Sequence, residues 1–195
     1  MSAKILYSKE QIILSTYDLI SKEGCNNLTA RKISSHLKAS TAPIYNCFAS
    51  IDELIEECLL LGVKNLIEFT NIKFSDRLFL NMGIGIITFA RNNSNIYSAI
   101  MLDKTFFKKT TSVEITKLMQ QAKEDPRFVN ILDEDLEEMM QKMWTFIFGL
   151  ATMASLGLRD DLDDGEIMNK LLSTSAIVVG EALEHVKIKE DNPLL

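Results

Sequence analysis

The sequence predicts an all-α protein of about nine helices. Three observations predict it. No segment alternates apolar and polar residues with period two for long, so the signature of a half-buried strand is missing. Apolar residues recur instead at three- and four-residue spacing through nearly the whole chain. Proline occurs only at 43, 126 and 193, which leaves long helices free to run.

Each helix has its own start or stop signal. Ser8 and Gln11 form a capping box that opens the first, Ile13, Tyr17 and Ile20 make one apolar face, and Gly24 supplies a left-handed stop. Thr29 caps the second, with Leu28 and Ile33 spaced as a hydrophobic staple. Pro43 disfavours helical geometry at Ala42, so the third starts there or slightly later. Ser50 and Glu53 make a second capping box, opening a helix that runs to about residue 70. Helices near 76–91 and 94–103 follow, then a junction at 104–110. Thr111 and Glu114 are placed to cap the next helix, which must stop before Pro126. Glu134, Asp135, Glu137 and Glu138 crowd the first turn of its successor, where carboxylates suit the helix dipole. That helix ends around Gly157. Asp163 and Glu166 open the last, to about Lys187, and the tail 190–195 is expected to fray.

Composition narrows the class. The chain has 195 residues, 47% of them hydrophobic, enough for a sizeable core and against disorder. Lys4 is followed by only two apolar residues, so no leader is read there. The longest nearly uncharged apolar runs are 82–90 and 144–158, and the second contains Thr and Ser; both are short of a membrane span. No membrane partner is expected. Cys25, Cys47 and Cys58 are an odd set without CxxC spacing, read as free thiols of a cytoplasmic protein. Net charge is −6, but residues 1–50 hold six Lys/Arg against three acids, so the remaining 145 carry −9. A basic end on an acidic body suits a nucleic-acid-binding head on a control domain.

The stretch 28–54, LTARKISSHLKASTAPIYNCFASIDEL, packs three helical starts and two tight turns into a compact helix-turn-helix. Ile33, Leu37, Ile44 and Phe48 are the positions that lock it onto the first helix. Thr29, Ala30, Arg31, Thr41, Ala42, Tyr45 and Asn46 remain to meet DNA. A guanidinium, hydroxyls, a phenol and an amide suit phosphates and base edges. Free N–H groups at the starts of the second and fourth helices add anchors for phosphate.

These residues resemble the DNA-binding domain of the TetR (tetracycline-repressor) family of bacterial regulators. Gly24, Leu28-Thr29, Arg31, Ile33, Leu37, Ser40, Ile44-Tyr45, Phe48 and Glu53-Leu54 match its pattern, within residues 8–58. Three positions depart from it. Lys38 stands where the family usually has the turn glycine, Cys47 replaces a His, and Ile51 replaces a phosphate-holding Lys. The resemblance implies a helix-turn-helix domain at 1–50 and a ligand-binding and dimerisation domain at 51–195. It also implies a homodimer that binds a pseudo-palindromic, double-stranded operator and responds to a small-molecule effector.

Eight of nine methionines lie at or after 82, accompanied by Phe89, Tyr97, Phe106, Phe107, Trp144, Phe146 and Phe148, a composition suited to pockets for varied apolar ligands. On the family's layout, Met101, Met119, Met140 and Trp144 are the ligand candidates. Gly149 and Met153, with Ser173, Ala176 and Gly180 as a small-residue stripe, are the candidates for the dimer interface. No catalytic or metal site and no cofactor is expected: His36 and His185 lack ligand spacing, and there is no GxSxG or phosphate-binding glycine loop. Acid runs at 133–138 and 160–164 read as helix starts. The sequence therefore points to a non-enzymatic transcriptional regulator, most simply a repressor. The alternative is a helical small-molecule-binding protein whose DNA head has degenerated.

Overall fold

The computed structural model describes residues 7–159 and 161–191, with side chains through Glu184. Lys4, Asp160, the side chains of His185 and Lys187 and the tail from 192 lie outside the described residues. The helices are α1 (Lys9–Glu23), α2 (Ala30–His36), α3 (Ala42–Cys47), α4 (Ile51–Thr70), α5 (Leu78–Asn92), α6 (Ser94–Tyr97), α7 (Lys104–Phe106), α8 (Ser112–Lys123), α9 (Asp133–Ser155) and α10 (Asp164–Asp191). A π-helical turn, Ser98–Leu102, extends α6, and another, Phe107–Thr111, fuses α7 to α8. Counted as continuous rods these are nine, and no strand occurs among the described residues.

Most caps are where the sequence puts them. Ser8 Oγ accepts from the Gln11 N–H while the Gln11 side chain accepts from the Ser8 N–H. Asp163 caps α10 by accepting from the Glu166 N–H at 2.8 Å. Gly24 stops α1 with φ 76° and ψ 178°, an extended positive-φ geometry rather than the expected left-handed helical one. Only glycine enters that region freely. At α4, Ser50 Oγ accepts from the Glu53 N–H, but the Glu53 carboxylate reaches past Ser50 to the Ala49 N–H at 2.7 Å. The acids of α9's first turn are Asp133, Glu134 and Asp135, so Glu137 and Glu138 lie beyond it.

The expected junction at 104–110 is helical. The chain breaks one residue earlier, at Asp103, whose carboxylate caps α7 through the Phe106 N–H at 2.8 Å. Thr111 therefore caps nothing. It is buried inside the fused helix and donates its hydroxyl to the Ile100 carbonyl at 2.8 Å. A Thr–x–x–Glu pattern inside a continuous helix reads as a start only until a tertiary acceptor claims the hydroxyl.

The centre of the body is α5. Every residue from Phe79 to Ala90 is buried, with α4, α9 and α10 packed around it. The α4–α5 approach is set by Gly85. A Cβ built there would lie 2.3 Å from the Phe69 carbonyl oxygen and 2.8 Å from the Thr70 Cα, both α4 backbone. Phe69 and Phe89 meet edge to face, with centroids 5.3 Å apart, beside that contact.

The start of α5 has no capping side chain of its own. Asp125, buried just before the 3₁₀ turn Pro126–Phe128, caps that turn by accepting from the Arg127 N–H at 3.1 Å. Its carboxylate also receives the Arg127 guanidinium, with Nε at 2.8 Å. The Arg127 guanidinium is the chief reason its carboxyl is held below the usual range. A depressed carboxyl pKa adds stability above the unfolded pKa, near 3.9, that is lost as pH falls through the folded value. Asp125→Asn should cost about 1–3 kcal/mol at neutral pH. The gap between wild type and variant should close below about pH 4 as the native carboxyl protonates, which urea melts across pH would measure.

Candidate nucleic-acid interface

Two faces of α1 hold the head together. Ile12, Thr16, Leu19 and Ile20 are buried, where the sequence pointed to Ile13, Tyr17 and Ile20. Ile13 and Tyr17 are half-buried and belong to the second face, toward α4. The Tyr17 hydroxyl accepts from the Asn65 side chain at 3.0 Å, and the Ile13 carbonyl accepts from the Cys58 thiol at 3.5 Å. A brace buried on both sides carries two overlapping apolar stripes, and the periodicity of one masks the other. The locking residues Ile33, Leu37, Ile44 and Phe48 are all buried, as expected. Polar clips reinforce them: His36 Nε2 lies 2.8 Å from Asp18, Lys32 pairs with Glu23 at 2.6 Å, and the Tyr7 hydroxyl donates to the Leu37 carbonyl at 2.9 Å. Lys22 first and His36 second hold the Asp18 carboxyl below its ordinary pKa.

The turn between α2 and α3 closes as a Schellman motif. The Ala39 N–H donates to the Ser34 carbonyl and the Lys38 N–H to the Ser35 carbonyl, with Lys38 at φ 55°. The departure from glycine is thus tolerated with the lysine in the left-handed conformation, and its side chain stands exposed at the tip. Pro43 sits in the first turn of α3, where a missing N–H removes no helical bond, and α3 starts at Ala42.

Arg31, Ala42, Asn46 and Tyr45 (56% exposed) face solvent. Thr29 is exposed too, but its hydroxyl is engaged, accepting from the Lys32 N–H at 3.2 Å. Ala30 and Thr41 are half-buried, set back from the surface. Of the basic residues described in the head, Lys9, Lys22 and Lys32 are paired with Glu57, Asp18 and Glu23. Arg31 and Lys38 have no anionic partner among the described residues. The head's spare positive charge is therefore concentrated at the helix-turn-helix. Sequence reasoning treated Lys38 only as a missing glycine. The start of α4 is a poorer anchor than expected, because Asp52 and Glu53 occupy its first turn and Glu53 already takes the Ala49 amide.

Among solved structures, a protein from Rhodococcus sp. described as a TetR-family transcriptional regulator aligns with a TM-score of 0.64 at 11% identity, over 87% of this chain and 97% of its own. Another so described, from Vibrio parahaemolyticus, aligns with a TM-score of 0.56 at 20% identity, over 85% and 97%. This chain has the TetR-family fold. No family model and no curated protein matches the sequence.

Within that TetR-family fold, two of the body's concavities involve residues singled out from the sequence. Met119, Met140 and Trp144 line a groove of about 220 Å³ between α8 and α9, and Trp144 stacks on Phe148 with centroids 6.2 Å apart. Met101, expected with them, is instead buried in the π turn after α6 and does not line this groove. A larger cavity of about 400 Å³ lies between the start of α5, α9 and α10. Ala176, which is exposed, and Gly180, with nothing near a built Cβ, also border that cavity. Their helix rotation puts one flank of the small-residue stripe beside α5, which linear spacing does not reveal. The outer face shared by α9 and α10 carries Gly149, with nothing near a built Cβ, Met153, exposed Ser173 and Ile177 (72% exposed). Lys142 clips the two helices together through Glu181 at 2.9 Å.

Among the described residues no group of three or more His, Cys, Asp or Glu is placed to hold a metal ion, and no helix is long and apolar enough to cross a membrane.

Proposed function

We propose that this chain is a cytoplasmic TetR-family transcriptional regulator, a repressor that binds a pseudo-palindromic operator as a homodimer. The observation that carries the reading is the outer face of α2 and α3: exposed Tyr45 and Asn46 beside Arg31 and Lys38, the cations without an anionic partner among the described residues of the head. In this reading residues 1–50 are the reader and 51–195 the control domain. Thr41, Ala42, Tyr45 and Asn46 enter the major groove, while Thr29, Ala30, Arg31 and Lys38 meet the flanking backbone. An apolar small molecule in the body selects a conformation whose heads no longer span two half-sites, which requires that it bind that conformation more tightly.

The test is fluorescence anisotropy of the protein on the promoter of its own gene, across a salt titration. Arg31→Ala should weaken cognate and random duplexes alike and lower the salt slope by about one. Tyr45→Phe should likewise weaken both duplexes if its hydroxyl meets a phosphate. Substitutions at Asn46 or Thr41 should instead change sequence preference. Wild-type binding that neither exceeds that of random DNA nor responds to Arg31→Ala would leave the degenerate-head alternative, a helical small-molecule-binding protein, as the reading.

A further inference from the structure

The cavity between α5, α9 and α10 combines an apolar interior with a single kind of charge at its edge. Phe79, Leu80, Phe128, Met143, Ile147 and Leu171 supply greasy walls. Among the described residues, the charged members of the lining are Arg77 and Arg127, and none is a carboxylate. The two guanidiniums are not equivalent. Arg127 is neutralised by the buried carboxylate of Asp125. Arg77, immediately before α5, has no anionic partner among the described residues. The site therefore presents one uncompensated positive fork at the mouth of an apolar hole of about 400 Å³, within the range of small-molecule sites.

We propose that this cavity binds an aliphatic carboxylate, with its chain among the walls and its head on Arg77. One free guanidinium matches one carboxylate bidentately, whereas a doubly charged phosphate head would leave a charge uncompensated. A cationic amphiphile meets the wrong sign, and a neutral alcohol forfeits the charged hydrogen bonds. The inference rests on the proposed ligand-responsive reading for its regulatory meaning, but the site itself is a property of the body.

The experiment is isothermal calorimetry on the full chain with octanoate, decanoate, dodecanoate, dodecanol and dodecyltrimethylammonium, each below its micellar concentration. Dodecanoate should bind once per chain, at least about tenfold tighter than dodecanol, with the ammonium weakest. Affinity should rise about fourfold per added methylene from octanoate to decanoate. Arg77→Gln, on an exposed residue, should erase the preference for carboxylate over alcohol while leaving dodecanol unchanged. Ser175→Phe, which fills the cavity from α10, should weaken both. Its melting curve shows whether the variant is folded, and in an unfolded case Leu172→Phe replaces it. Equal affinity for acid and alcohol in wild type, or a carboxylate preference that survives Arg77→Gln, overturns the proposal. An operator titration run in parallel separates the two readings. Dodecanoate binding that leaves operator affinity unchanged upholds the site and removes this ligand as the switch. Operator binding by a protein that takes up no dodecanoate upholds the reader and overturns the site.

Discussion

Gly85→Ala should cost about 3 kcal/mol or more, the upper end of what overpacking does, and lower the midpoint of thermal unfolding by about 6–12 °C. The new methyl would fall 2.3 Å from the Phe69 carbonyl oxygen and 2.6 Å from its carbon, inside contact distances that backbone atoms cannot relieve by changing rotamer. The last turn of α4 would have to move away from α5. Gly83 is the control, two residues away on the same buried helix. A Cβ there meets only the ends of the Ile147 and Leu171 side chains, at 3.1 and 3.2 Å. Those ends can shift by tenths of an ångström, and alanine gains about 1 kcal/mol of helix propensity. Gly83→Ala should therefore lie within about 1 kcal/mol of wild type. Urea and thermal melts of both variants settle the matter. Similar midpoints for Gly85→Ala and wild type would mean that α4 and α5 do not approach as closely as described. Because α4 also carries the Glu57, Cys58 and Asn65 contacts to α1, a displaced α4 should shift the head as well.

The double variant Gly149→Arg/Ile177→Glu should be a folded monomer whose operator affinity has fallen by about 100-fold or more. Gly149 has open space around it and Ile177 is almost wholly exposed, so neither substitution disturbs the chain's own packing. Both place charge on the joint outer face of α9 and α10, where a two-fold partner would repeat the same residues against themselves. Burying the introduced charges on association costs desolvation, and the long side chain placed at 149 holds the two faces apart. Two heads bind a palindrome far more tightly than one because the second contact is intramolecular, and a monomer loses that gain. Light scattering reads the assembly and anisotropy on operator DNA reads the affinity. A double variant that remains a dimer would place the interface on another surface.

The helix-turn-helix was legible because local rules govern it. Ser8 with Gln11, Thr29, Pro43 and Ser50 act within a turn of their own position, and the structure uses each of them at a helix start. The positive φ at Lys38 agrees with the turn glycine that the family resemblance places there. What failed depends on partners distant in sequence. Thr111 looks like a cap until the Ile100 carbonyl claims its hydroxyl, and Ile13 and Tyr17 look like one face until α4 arrives on the other side of α1. Met101 does not line the groove that Met119, Met140 and Trp144 share, although the family layout named the four together. Local hydrogen bonds and periodicity determined the elements, since both are decided within one or two turns. The rotation of α10, which turns Ala176 and Gly180 toward a cavity edged by Arg77, was decided only by how helices far apart in the chain fill space around α5.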